Sequence, residues 1–297
     1  MKGIKPADIL CGAFLVLLLL VVAAGWARLP RPGALALEYG LLLAAVAAIA
    51  AIGRSRPQGG WRLLHSFYPV VLIVAIFDSL AGVVGYVIGP DRDAALMAWD
   101  LSLFGVHPTL WLERIVTPWL TDLMHLAYVT YYVLPLVLCG RLYARGRQGD
   151  FDLAAFTLIL TVFLSYLGYI LVPAQGPRAL LAPLQTVPLQ GLIVTEPIRS
   201  TLEALEDLKR DAFPSGHTAV VVVLLALAWR YDRRAFWPAL PVVLALIAST
   251  VYTRYHYAVD VLAGLLLAAL CTLLGPPFYR RLARLAPGGG VDQRGRS

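Results

Sequence analysis

Eight predominantly apolar runs, each about as long as a bilayer is thick, set the frame for what this chain can fold into. They fall at 8–26, 34–53, 66–89, 119–140, 152–172, 214–230, 236–253 and 257–276. At 1.5 Å rise per residue, a run of this length makes a helix of roughly 25–30 Å, close to the hydrocarbon thickness of a membrane. No single aqueous core needs so many runs of that length. In lipid the helix is the form that satisfies its own backbone hydrogen bonds. The chain is therefore predicted to be all-α, a polytopic membrane protein with about eight transmembrane helices. Composition agrees: hydrophobic residues are 59% and charged residues 14% of the 297, where a soluble domain carries about 25% charge. Lys2 and Lys5 precede the first run as in a signal peptide, but the run is longer than a signal core and reads as an uncleaved anchor. Cys11, Cys139 and Cys271 all lie inside apolar runs with no CxxC spacing, so they read as small hydrophobes.

Orientation follows from the basic residues. With the N-terminus in the cytoplasm, the inner segments hold 16 of the 25 Lys and Arg: Lys2, Lys5, Arg54, Arg56, Arg62, Arg141, Arg145, Arg147, Arg230, Arg233, Arg234 and arginines 280, 281, 284, 294 and 296. Six of the remaining nine are diluted over two long outer loops that also hold half of the 18 acids. That asymmetry is the positive-inside pattern. The formal charge of +7 is thus an orientation signal, with the basic tail as a lipid-surface anchor, and does not point to nucleic acid. Both termini are expected in the cytoplasm of a multi-pass cell-membrane protein. Of the outer loops, 90–118 mixes Trp99, Leu103, Phe104 and Trp111 with acids and suits short interfacial helices. The other, 173–213, opens Pro173-Ala174-Gln175-Gly176-Pro177-Arg178 and ends in a charged, helical-looking run from Glu203 to Asp211. The expected organisation is an N-terminal helix pair over 1–60, a six-helix core over 61–279 and a basic tail over 280–297, Gly- and Arg-rich at its end.

The reactive side chains gather between Phe213 and Asp260. This stretch opens Phe213-Pro214-Ser215-Gly216-His217 and closes Arg254-Tyr255-His256-Tyr257-Ala258-Val259-Asp260. Between the histidines lie two apolar runs of similar length, split by the charged turn Arg230 to Arg234. One helix leaves the face where His217 sits and the next returns to it before His256, which puts both histidines at one membrane surface, the periplasmic or exterior one. Pro214 fits the first turn of a helix whose free N–H groups attract anions, Ser215 adds a hydroxyl, and Gly216 admits a ligand close to the backbone. That is a phosphate cradle with a histidine set into it; the same residues also suit an ordinary capped helix with an interfacial histidine. His256 and Asp260 are four apart. On a helix they share a face, and the carboxylate accepts the Nδ1–H, leaving Nε2 bare. A structural hydrogen bond fits this pair too. So does a metal site, although no Cys or Glu completes a ligand set and Arg178 and Arg254 oppose a cation.

Pro214-Ser215-Gly216-His217 and the His256-x3-Asp260 pair resemble the second and third signature motifs of the type 2 phosphatidic acid phosphatase superfamily. The resemblance covers about 62–279. Gly176-Pro177-Arg178 is similar to the first motif as it stands in the inositol phosphorylceramide synthase-like branch. The resemblance implies a phosphohistidine mechanism requiring no metal or other cofactor. His256 would be the nucleophile, Asp260 its orienter and His217 the acid for the leaving oxygen. Ser215, the Gly216 N–H, Arg178 and Arg254 would hold the phosphoryl oxygens. The sequence departs from the family at Leu171, where a lysine is usual, at Ala179 in place of proline, and at Thr250, where an arginine follows the serine. Arg254, four residues on, would share a helix face with position 250. Lys209 and Arg210 are the candidates to replace the missing lysine. The first and third motifs lean towards the synthase-like branch and Ser-Gly-His towards phosphatases.

A second polar cluster lies in the spans. Asp78 falls near the middle of the third, where a carboxylate is costly. Asp122, His125, Tyr128 and Tyr132 form a helical stripe in the fourth. These residues are candidates for a headgroup or acceptor pocket, and equally for an internal hydrogen-bond network. The leading reading is a membrane enzyme that removes or transfers a phosphoryl-bearing group of a lipid phosphate or phospholipid at the outer face. The alternatives are a phospho-headgroup transferase of the synthase-like kind and a non-catalytic lipid-phosphate transporter, for which Asp78 is the mid-membrane support. Oligomeric state leaves no trace in the sequence.

Overall fold

The computed structural model of the protein describes residues 4–56, 58–205 and 210–285. Among them are twelve α-helices and no strand: α1 (Pro6–Gly25), α2 (Pro32–Ser55), α3 (Gly59–Leu80), α4 (Asp93–Phe104), α5 (Pro108–Trp111), α6 (Pro118–Ala144), α7 (Gln148–Leu171), α8 (Pro177–Leu180), α9 (Thr195–Leu205), α10 (Gly216–Tyr231), α11 (Arg233–Tyr252) and α12 (Ala258–Leu285). Seven are long and apolar enough to cross a bilayer, and α10 is a shorter apolar helix. Together they make the all-helical polytopic architecture expected.

The bundle is built around α10. Four helices, α6, α7, α11 and α12, pack on it, and Ala219, Val220, Val221, Val223, Leu224 and Leu227 are all buried there. At 16 residues it is about 24 Å long. A helix sheathed by protein has no lipid to match, so a length below the bilayer thickness carries no mismatch penalty. The N-terminal pair is attached through α1, which packs on α7 and α12, while α2 packs on α1 and α3. One end of the bundle is tied by polar contacts. The Asp8 carboxylate accepts from Tyr68 Oη at 2.9 Å and meets His65 Nε2 at 3.0 Å, and Lys5 Nζ lies 3.1 Å from Asp152. On the same end Asp232 accepts from Arg141 Nε at 2.9 Å and Arg145 Nη1 at 2.7 Å. Among the described residues, Lys5, Arg141 and Arg145, assigned to one side by the sequence, are thus brought together at the end of the bundle away from His217 and His256.

Two elements depart from expectation. The third span was expected over 66–89, but α3 runs from Gly59 to Leu80 and the chain then turns irregularly to Gly89. The apolar run does continue past Leu80, and Val83 and Val84 are buried. However, Gly82, Gly85 and Gly89 punctuate it, the last two at φ 86° and 116°, which ends the helix. The last span was expected to stop at 276; α12 continues to Leu285, so Arg280, Arg281 and Arg284 extend its final turns. Residues 286–297 lie outside the described residues. The outer loop 90–118 does carry short helices, α4 and α5, with Trp99 and Trp111 exposed. In the second loop the helices are α8 and α9, the latter taking in the start of the charged run from Glu203, and part of that run, including Lys209, lies outside the described residues.

Candidate active site

The two histidines meet. His217 is the second residue of α10, whose N-cap Ser215 accepts the Thr218 N–H at 3.3 Å. His256 stands in the turn between α11 and α12. His256 Nε2 lies 3.4 Å from His217 Nδ1, and both rings are buried. Two helices of matched length and one return turn are sufficient for this convergence, as the sequence implied.

Asp260 does not hold His256 in the way expected. Nδ1 is 2.8 Å from the Ala212 carbonyl oxygen and 3.6 Å from Asp260 Oδ2. The hydrogen-bonded i,i+4 geometry requires helix from 256 to 260, but His256 lies in a bend and α12 starts only at Ala258, so the pair stands at ion-pair distance without a hydrogen bond. Asp260 Oδ2 instead accepts the Tyr257 N–H at 2.8 Å, and its Oδ1 is buried with no hydrogen-bond partner among the described residues. A carbonyl oxygen can only accept, so His256 Nδ1 carries a proton, and Nε2 is the nitrogen that faces His217. The place of the Nδ1 proton is set by a backbone carbonyl forty-four positions upstream. His217 Nε2, on the far side of that ring, is also buried without a partner among the described residues.

An aromatic stack connects the pair to Arg178 of the second loop. The Tyr128 ring centre lies 4.5 Å from that of His217 and 4.7 Å from that of Tyr255, and Arg178 Cζ sits 4.5 Å over Tyr255. Tyr131, which the sequence did not single out, packs on His217 at 4.3 Å; Tyr132, which it did, is exposed. Tyr131 follows Tyr128 at the i,i+3 spacing of one helix face, and that was the signal available in the sequence.

The four expected phosphate ligands divide. Arg178 is half-buried, and its guanidinium hydrogen-bonds nothing among the described residues, so it remains open to an anion. Arg254 is committed: it meets Glu113 at 2.9 Å, Gln185 at 3.0 Å and the Val187 carbonyl at 2.6 Å. Burial pushes its guanidinium below the usual arginine range, and Glu113 opposes that shift. Gly216 makes room for protein and not for a ligand, since a Cβ there would lie 2.3 Å from Tyr169 Oη. Ser215 is fully buried, with its oxygen used in the cap. Of the two candidates for the missing lysine, Arg210 is paired with Asp91 at 2.7 Å, and Lys209 lies outside the described residues.

The second polar cluster does not converge on one pocket. Asp78 is exposed in the last turn of α3, because the helix ends nine residues earlier than expected, at Leu80; the mid-helix position that made it the support for a transporter goes with it. Asp122 accepts the backbone N–H groups of Leu192, Ile193, Val194 and Thr195, and the Thr195 hydroxyl, at 2.7–3.2 Å. It anchors the loop that leads into α9 and has no acceptor capacity left for a headgroup. His125 is buried, with Nδ1 2.8 Å from the Thr121 carbonyl. It lines a cavity of about 620 Å³ together with Arg178, Gln185, Arg199, Thr253 and Tyr255. Among the described residues no three His, Cys, Asp or Glu side chains converge as metal ligands would.

Residues 94–274, more than half of the chain, match the family model described as the PAP2 superfamily. The match opens in α4 and closes inside α12. A PA-phosphatase related-family protein of Dictyostelium discoideum is 23% identical, in a match covering 69% of this chain and 44% of that protein. The chain thus matches less than half the length of this relative. No solved structure matches.

Proposed function

The chain belongs to the PAP2 superfamily, and from that membership and its buried histidine pair we propose that it is a membrane-embedded phosphatase or phosphotransferase acting through a phosphohistidine on His256. The observation that carries this reading is the meeting of two buried histidines, with His256 Nδ1 held by the Ala212 carbonyl and Nε2 turned towards His217. In the first step Nε2 bonds to phosphorus as the bond to the leaving oxygen breaks, and His217 gives that oxygen a proton. In the second, water attacks phosphorus, His217 takes its proton, the N–P bond breaks and phosphate departs. Arg178 faces the charge that accumulates on the phosphoryl oxygens. An in-line arrangement needs an attack distance and a hydrogen bond end to end, roughly 6 Å between the ring nitrogens. The rings stand at 3.4 Å, so they part when the substrate binds.

The substrate in this reading is a lipid phosphate, delivered from the outer leaflet, with both termini in the cytoplasm and residues 1–60 an appended helix pair. A transferase reading, the one nearest the inositol phosphorylceramide synthase-like branch, is favoured by the polar cavity that shares Arg178 and Tyr255 with the site. It offers room for a headgroup or an acceptor hydroxyl in place of water. One assay on purified protein tests both: a panel of phospholipids and prenyl pyrophosphates, scored for free phosphate against new lipid. His256→Ala should abolish turnover on every substrate. His217→Ala should lose about 10²–10⁴ with a lipid alkoxide leaving group and far less with p-nitrophenolate, which departs unprotonated. An adduct on His217 in the His256→Ala protein would reverse the roles and sink this assignment.

A further inference from the structure

We infer that Asp93 and Asp100 of α4 are positioning residues that hold the Arg178 loop and the His256 turn in one frame; the inference rests on the phosphotransferase reading above. Asp93, Leu96 and Asp100 are spaced i, i+3 and i+7, one face of the helix, and all three are buried. Leu96 packs in a small apolar cluster with Ala174, Leu181, Ala212, Tyr257 and Val259. The flanking carboxylates bind backbone. Asp93 accepts the Gln175 N–H at 2.9 Å, the Gly176 N–H at 2.8 Å and the Tyr257 hydroxyl at 3.1 Å. Asp100 accepts the Ala258 N–H at 3.1 Å and the Val259 N–H at 2.8 Å, capping α12 from outside.

These are the peptides two and three residues before Arg178 and two and three residues after His256. The two segments also touch directly, Arg178 N–H donating to the Arg254 carbonyl at 3.0 Å. A phosphoryl group gripped by Arg178 and attacked by His256 requires a fixed separation between those side chains, and α4 spans it. Burial holds the Asp100 carboxyl above the usual carboxylate range, against the pull of its two N–H donors. Burial, then Asp93, raises the Tyr257 phenol. Neither acid touches the histidines or the face of Arg178 that meets the substrate, so each acts through the backbone it binds.

The test is a double-mutant cycle on full-length enzyme with p-nitrophenyl phosphate. Small misplacement at a reacting centre costs about 10–100-fold, so Asp93→Asn and Asp100→Asn should each lower kcat/KM by that amount. In an Arg178→Ala background Asp93→Asn should cost less than about threefold further, because its effect runs through Arg178. Full additivity, or rates restored once normalised to vanadate-binding sites, would show a merely structural role and overturn the inference. If the Asn variants do not fold, Tyr257→Phe removes one Asp93 contact with little change of shape. It should still lower kcat/KM, and an unchanged value refutes. Vanadate affinity gives a second readout that needs no turnover. A wild type that binds vanadate but cleaves no ester sinks the enzymatic reading alone. Unchanged vanadate affinity in Asp93→Asn, with unchanged kcat/KM, sinks the positioning role alone.

Discussion

Asp260→Asn separates charge from tautomer at the nucleophile. Asp260 Oδ2 lies 3.6 Å from His256 Nδ1, so an anion there stabilises positive charge growing on the ring as Nε2 bonds to phosphorus. At an effective dielectric near 20, a pair of unit charges 4 Å apart is worth about 4 kcal/mol. With the ring charge half developed, about 2 kcal/mol remains, about 30-fold in rate. Asn keeps an oxygen for the Tyr257 N–H, and the Ala212 carbonyl keeps the proton on Nδ1, so neither the turn nor the tautomer should change. Where a carboxylate does fix the tautomer, the same substitution costs about 10⁴. Steady-state kcat on p-nitrophenyl phosphate and on a lipid phosphomonoester, with rapid-quench measurement of the acid-labile adduct, should show a similar loss on both, because charge on the attacking ring is independent of the leaving group. A loss under about threefold would mean that the carboxyl is uncharged in the reacting enzyme, and one near about 10⁴ that Ala212 does not hold the tautomer. Either result refutes the argument.

Topology can be read with a membrane-impermeant maleimide: Ser102→Cys and Ser200→Cys should label on intact cells and Arg234→Cys only after permeabilisation, with little background because the three native cysteines are buried. Labelling of position 200 from the cytoplasmic side alone would put the site inside. Activity should survive EDTA and fall with orthovanadate, since the proposed phosphate grip is the Arg178 guanidinium; loss in EDTA restored by Zn²⁺ or Mg²⁺ would favour a ligand role for the histidines. Gly176→Ala should cut kcat/KM steeply, because residue 176 is at φ 87° and an added Cβ would stand 2.2 Å from the Tyr255 carbonyl oxygen. Wild-type kinetics in that variant would show that the loop carrying Arg178 tolerates displacement.

The helical bundle was legible because apolar run length is a one-dimensional property. The histidine pair was legible because two equal runs bring a chain back to its starting level. What the sequence hid depended on backbone conformation. The i,i+4 reading of His256 and Asp260 assumed helix from residue 256, and the chain is bent there, with α12 starting only at Ala258. No side-chain pattern points to the Ala212 carbonyl as the partner of His256. Three glycines ended α3 nine residues early and left Asp78 in its last turn. Asp93 and Asp100 sat among loop acids that composition alone marks as solvated, and only the packing of α4 shows them facing inward.

Depth is the remaining consequence of the way α6 meets α10. Trp119, exposed at the start of α6, is the kind of residue that anchors at the membrane–water boundary. Tyr128, level with His217, lies nine residues further along, about 13 Å towards the bilayer centre. In the proposed mechanism the reacting phosphorus would therefore be handled beneath the plane where lipid phosphates rest. A lipid would reach it through the protein or by the leaflet thinning around the bundle, and thinning costs fractions of a kcal/mol per Å. Bilayer thickness thus enters the rate as a variable in its own right. The same enzyme should turn over faster in short-chain than in long-chain vesicles, with no change in any residue of the site.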